Sequence, residues 1–127
     1  MERRLLQIVI CVAVLVPLLG GGIGAFGPTV TQAGAIAADS HHRYLSGLLL
    51  AIGFAFLSTV PRIERHTARF RLLAALVMTG GLVRRLGVLI QGQVNGEIVF
   101  ALVMELGVTP ALMLWQGGVA ARSRSRT

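Results

Sequence analysis

The sequence predicts an all-α integral membrane protein: an antiparallel four-helix bundle with N and C termini cytoplasmic. Composition is the first observation. Of 127 residues, 54% are hydrophobic and 13% charged, with a mean hydropathy of +0.76. A soluble domain would carry ~25% charged residues. The second is the grouping of the apolar residues into four runs, at about 5–26, 44–60, 70–90 and 97–115, each near the ~20 residues that cross ~30 Å of hydrocarbon. The third is the placement of arginine. Arg3 and Arg4 precede the first run, Arg62, Arg65, Arg69 and Arg71 fill the gap between the second and third, and Arg122, Arg124 and Arg126 close the chain. Positive charge is retained on cytoplasmic flanks, so the pattern assigns these segments to the cytoplasmic side and predicts a multi-pass membrane protein. Residues 1–127 make a single four-span domain.

The first span ends at Phe26, where Gly27-Pro28 breaks the helix, and its glycines Gly20, Gly21, Gly22 and Gly24 permit close helix approach. A competing reading makes Arg3-Arg4 and Leu5–Leu19 a cleaved leader with an Ala35-Ile36-Ala37 site. That site lies far beyond the apolar run, which favours a retained span. Thr29 to Ala38 reads as an outer loop. Asp39-Ser40 is expected to cap the second span, which Pro61 ends. The short inner loop 61–69 makes spans two and three a hairpin. Gln91 to Gly96, with Asn95-Gly96, is an outer turn leading into span four. Tyr44 at the outer edge, and Phe70 and Trp115 at the inner edge, fit an interfacial aromatic belt.

Ionisable residues inside the apolar runs are the functional signal. At ~1.5 Å per residue, Arg84 lies roughly 9 Å below the outer end of span three and Glu105 roughly 12 Å below that of span four. A charge at such depth costs at least ~2.5 kcal/mol unless paired or hydrated, so Glu105 requires a partner, Arg84 or Arg85. On span two, Arg43, Gly47, Ala51, Ala55 and Ser58 form a small-residue stripe. On span three, Val77, Gly80, Arg84 and Gly87 share one face, and Ala74, Met78, Gly81 and Arg85 another. Pro110 removes the bond to the Leu106 carbonyl and is expected to bend span four near the acid. The expected product is an outward-opening pocket lined by Asp39, His41, Arg43, Arg84 and Glu105.

Other chemistry finds no support. Every basic residue apart from histidine is Arg, yet no aromatics interleave with them as a nucleic-acid surface requires, and the high charge is explained by topology. Cys11 is the single cysteine and forms no internal disulfide. Asp39-Ser40-His41-His42 lacks a second half with metal-ligand spacing, and no span carries a histidine for haem. No metal, cofactor or catalytic residue is therefore assigned. Gly20-Gly21-Gly22 lacks the strand and lysine of a phosphate loop.

These motifs resemble a known family. Asp39-Ser40-His41-His42-Arg43-Tyr44-Leu45-Ser46-Gly47-Leu48 is similar to a hallmark of a bacterial four-span family, domain of unknown function 4345. Pro61-Arg62-Ile63-Glu64-Arg65-His66, Gly80-Gly81-Leu82-Val83-Arg84, and Met104-Glu105-Leu106 with Pro110 four residues on resemble it too. The resemblance covers nearly the whole chain and implies a small inner-membrane helical protein, without an activity.

The functional expectation is a non-enzymatic membrane protein whose Arg/Glu/His pocket stabilises the bundle or holds a lipid-like or anionic small molecule. One rival is an accessory subunit of a larger membrane complex, or a homo-oligomer, packed through its small-residue stripes. Another is a membrane enzyme using Glu105 or His41 for acid–base chemistry on a hydrophobic substrate. Membrane lipids are the expected partners.

Overall fold

The computed structural model describes residues 1–28 and 35–125, which hold helices and no strand. Helix α1 spans Glu2–Phe26 and α2 Ile36–Thr59, followed by a 3₁₀ turn at Val60–Arg62. Helix α3 spans Thr67–Gln91 and α4 Gly96–Val103. A π-helical turn, Met104–Val108, runs directly into α5, Thr109–Arg124. The four segments Glu2–Phe26, Ile36–Arg62, Thr67–Gln91 and Gly96–Arg124 are each long and apolar enough to cross a membrane. Large apolar side chains stand exposed along all four, from Ile8 and Leu19 to Phe54, Leu76, Leu89 and Leu114. Water would penalise such a surface heavily, whereas acyl chains match it. Residues 29–34 of the expected outer loop, and Arg126, lie outside the described residues.

The chain packs as two compact units, Gln7–Pro61 and Met1–Leu6 with Arg62–Thr127. In the first, positions on α1 and α2 converge on the connecting segment, Leu18 with Gly53, Gly21 with Leu50 and Gly24 with Ser46, so the helices run antiparallel. A Cβ at Gly21 would lie 2.6 Å from the Leu50 nitrogen and 2.8 Å from the Ser46 carbonyl oxygen. Only glycine permits that close backbone approach. The buried face of α2 carries Ser46, Gly53, Phe56 and Thr59. The expected stripe is therefore corrected by rotation: Ala51 and Ser58 are exposed, and Gly47 faces open space. Gln7 closes the far end by donating from Nε2 to the Val60 carbonyl at 2.6 Å. Near a helix C-terminus carbonyls lack intrahelical donors, and a side-chain amide fills that need.

The start of α2 also differs from expectation. Asp39-Ser40 does not cap it; the N-cap is Ala35, without a side-chain bond, and Asp39 sits in the first turn. Ile36-Ala37-Ala38 are competent helix formers, so the helix extends backwards past the polar pair.

In the second unit, α3 packs antiparallel against α4, the π turn and α5. Gly81 meets Glu105 and Leu106, and Thr67 meets Gln116. The reversal is built from Gly92, which ends α3 at φ 67°, and Asn95, whose Oδ1 accepts the Ile98 N–H at 2.8 Å. Ile63, Phe70, Ala74, Gln116 and Ala120 are almost wholly buried. Phe70 is thus a core residue, 1% exposed, and not a member of an interfacial belt. Gln116, unremarkable in sequence, donates from Nε2 to the Ile63 carbonyl at 2.7 Å and the Thr67 hydroxyl at 2.9 Å. It holds the loop before α3 against α5. Two ion pairs tie the amino terminus to this unit, Arg3–Glu64 at 3.2 Å and Arg122–Glu2 at 2.9 Å.

Candidate functional site

Helix α3 presents Arg84 on the side that meets span four. Its Nε donates to Glu105 Oε2 and its Nη2 to Oε1, both at 3.0 Å. This is a two-bond fork in which one edge of the guanidinium matches the carboxylate. Gly81, one turn earlier, lets the backbones close: a Cβ there would fall 2.8 Å from the Glu105 Cβ. Of the two adjacent arginines it is Arg84 that takes the acid. Arg85 points ~100° away, as successive helical residues must.

Glu105 stands in the π turn. Pro110 has no N–H to continue the α-helical ladder. Upstream of it the ladder takes in an extra residue, with the Thr109 N–H reaching the Met104 carbonyl. The Thr109 hydroxyl donates to the same oxygen at 2.8 Å. The expected bend is therefore realised as a one-turn change of helical register at the acid. Turns of this type recur at functional positions because they re-aim one side chain without ending the helix.

Arg43 and Asp39 form a second cluster, in the Gln7–Pro61 unit. Arg43 Nε bonds Asp39 Oδ2 at 2.8 Å, Nη1 the Ala25 carbonyl at 2.8 Å, and Nη2 the Gly27 carbonyl at 2.9 Å. All three nitrogens are engaged, two of them on carbonyls at the end of α1, where a cation also answers the helix dipole. Arg43 is thereby a helix clasp, a role that its position beside two histidines did not announce. His42 packs toward Gly24, and His41 is exposed. The predicted residues thus fall into two clusters: Asp39, His41 and Arg43 in one unit, Arg84 and Glu105 in the other.

Sequence reasoning missed Gln7 and Gln116. Each is a lone amide in an apolar run, a cue that the charged residues overshadowed. Among the described residues, no group of three or more His, Cys, Asp or Glu side chains gathers as a metal site requires.

Four apolar helices, with one forked ion pair inside the apolar span of a hairpin, define a multi-pass α-helical membrane protein. The chain belongs to the family of the domain of unknown function DUF4345, whose model matches residues 5–116. No curated protein and no solved structure matches it.

Proposed function

We propose that this is a non-enzymatic protein of the cell inner membrane, both ends cytoplasmic, whose Arg84–Glu105 pair is the polar centre of a site for a lipid-like or anionic small molecule. The observation that carries the reading is the half-used guanidinium. Glu105 occupies the Nε/Nη2 edge, while the Arg84 side chain remains 44% exposed and Glu105 only 16%. The remaining Nη1 donors are available to a phosphate or carboxylate, for which a planar cation is the suited receptor. Both Glu105 oxygens are taken up by Arg84 and the side chain is only 16% exposed, which leaves a substrate little access to it, so acid–base catalysis is the weaker assignment.

An accessory role in a larger membrane complex, or a homo-oligomer, is the second reading. It is favoured by Gly20, Gly22, Gly47, Gly80 and Gly87, each facing open space along its helix. Such notches let a partner helix approach closely.

Native mass spectrometry of the gently extracted protein tests both. A monomer or homo-oligomer carrying a discrete small mass, lost in Arg84→Gln, supports the binding site. A defined assembly with other chains supports the subunit reading. Bare protein leaves the pair a structural one.

A further inference from the structure

Arg85 is the charge that the paired site does not use. It lies roughly 9 Å below the outer end of α3, counted at ~1.5 Å per residue. It is exposed and has no hydrogen-bond or ion-pair partner among the described residues. An unpaired guanidinium at that depth is costly unless something neutralises or hydrates it. Its surroundings are apolar. Arg85 stands on the wall of an open groove between α3 and the segment running from α4 into the π turn, lined also by Val88, Leu89, Val99, Leu106 and Gly107. Nothing lies within 4 Å of the place a Gly107 Cβ would take, so the missing side chain leaves the groove open at the π turn.

We propose that this groove binds a phospholipid of net negative charge, with its phosphate on Arg85 and one acyl chain along the apolar wall. One guanidinium beside an apolar trough matches one phosphate joined to a chain. The long arginine side chain also reaches toward headgroup depth. Snorkelling alone would bring Arg85 to any nearby phosphate. The groove adds a requirement for the chain, and Gly107 controls it. The site is separate from Arg84–Glu105 and does not rest on that reading.

The test uses the full chain, delipidated in detergent, titrated with palmitoyl-oleoyl phosphatidylglycerol and followed by native mass spectrometry, with circular dichroism checking helicity of each variant. The wild type is expected to retain this lipid about tenfold better than a diacylglycerol with the same chains, and Arg85→Gln and Gly107→Leu should each weaken retention by about tenfold. Gly80→Ala, outside the groove, should leave it unchanged, and inorganic phosphate should not displace the lipid. Equal retention of diacylglycerol, displacement by inorganic phosphate, or undiminished binding in folded Gly107→Leu would each overturn the proposal. Loss of the lipid in Arg84→Gln alone would assign it to the paired site and overturn the groove.

Discussion

Glu105 and Arg84 each make two bonds to the other, and neither has another acid or base within ion-pairing distance among the described residues. Removing one charge strands its partner in an apolar span. Glu105→Gln is therefore expected to lower stability by about 1–3 kcal/mol, discounted from a fully buried pair because Arg84 is partly exposed. Thermal unfolding in detergent measures it, and an unchanged transition would refute the pairing. Replacing both residues with apolar ones should recover most of the loss, since a matched pair often contributes little net stability over a hydrophobic substitute. If that double variant folds but no longer copurifies with the wild-type small mass, the pair serves binding as well as packing.

Adjacent glycines on α3 show how helix faces are decided within a single element. A Cβ at Gly81 would lie 2.8 Å from Glu105 and 3.0 Å from Leu106, while one at Gly80 meets nothing within 4 Å. Gly81→Ala should cost about 1–3 kcal/mol through overpacking and loosen the hairpin. Gly80→Ala should be neutral or slightly stabilising through helix propensity. Equal effects at the two sites would mean that the packed face is misassigned. The loop before α3 depends similarly on one amide. Gln116→Leu preserves bulk but leaves the buried Ile63 carbonyl without its side-chain donor, so a loss of about 1–2 kcal/mol is expected, with faster proteolysis of the 61–66 loop. Protection equal to wild type would show that the bond adds nothing.

Across the molecule as a whole, charge asymmetry and apolar surface decide the setting. Arg3, Arg4, Arg62, Arg65, Arg69, Arg71, Arg122 and Arg124 flank the apolar segments at the helix ends opposite the Gln91–Gly96 turn. The proposed orientation, with that end in the cytoplasm, rests on the positive-inside rule. A reporter fused after Thr127 should report a cytoplasmic location, and one inserted between Gly92 and Asn95 the opposite side. A periplasmic signal at the C-terminus would reverse the orientation.

Several features were legible in residue order because they are local. Hydrophobic run length, flanking arginine and the breakers Gly27-Pro28 and Pro61 depend on immediate neighbours, and they announced four helices long enough to span a membrane. The Arg84–Glu105 pair was legible too, since depth below a common turn follows from counting residues. The rest depended on rotation about the helix axis and on groups distant in sequence. Small residues are frequent on every face of these helices, so their spacing did not select Gly81 over Gly80, or Ser46 and Gly53 over Gly47 and Ala51. Arg43 was expected to line a pocket, whereas its guanidinium is taken up by Asp39 and the carbonyls at the end of α1. Residue order thus dictated the membrane class and the requirement that Glu105 find a cation. Folding in three dimensions settled which arginine answers, where the helix changes register to present the acid, and which lone amides hold the loops, because each depends on groups brought together only when helices pack.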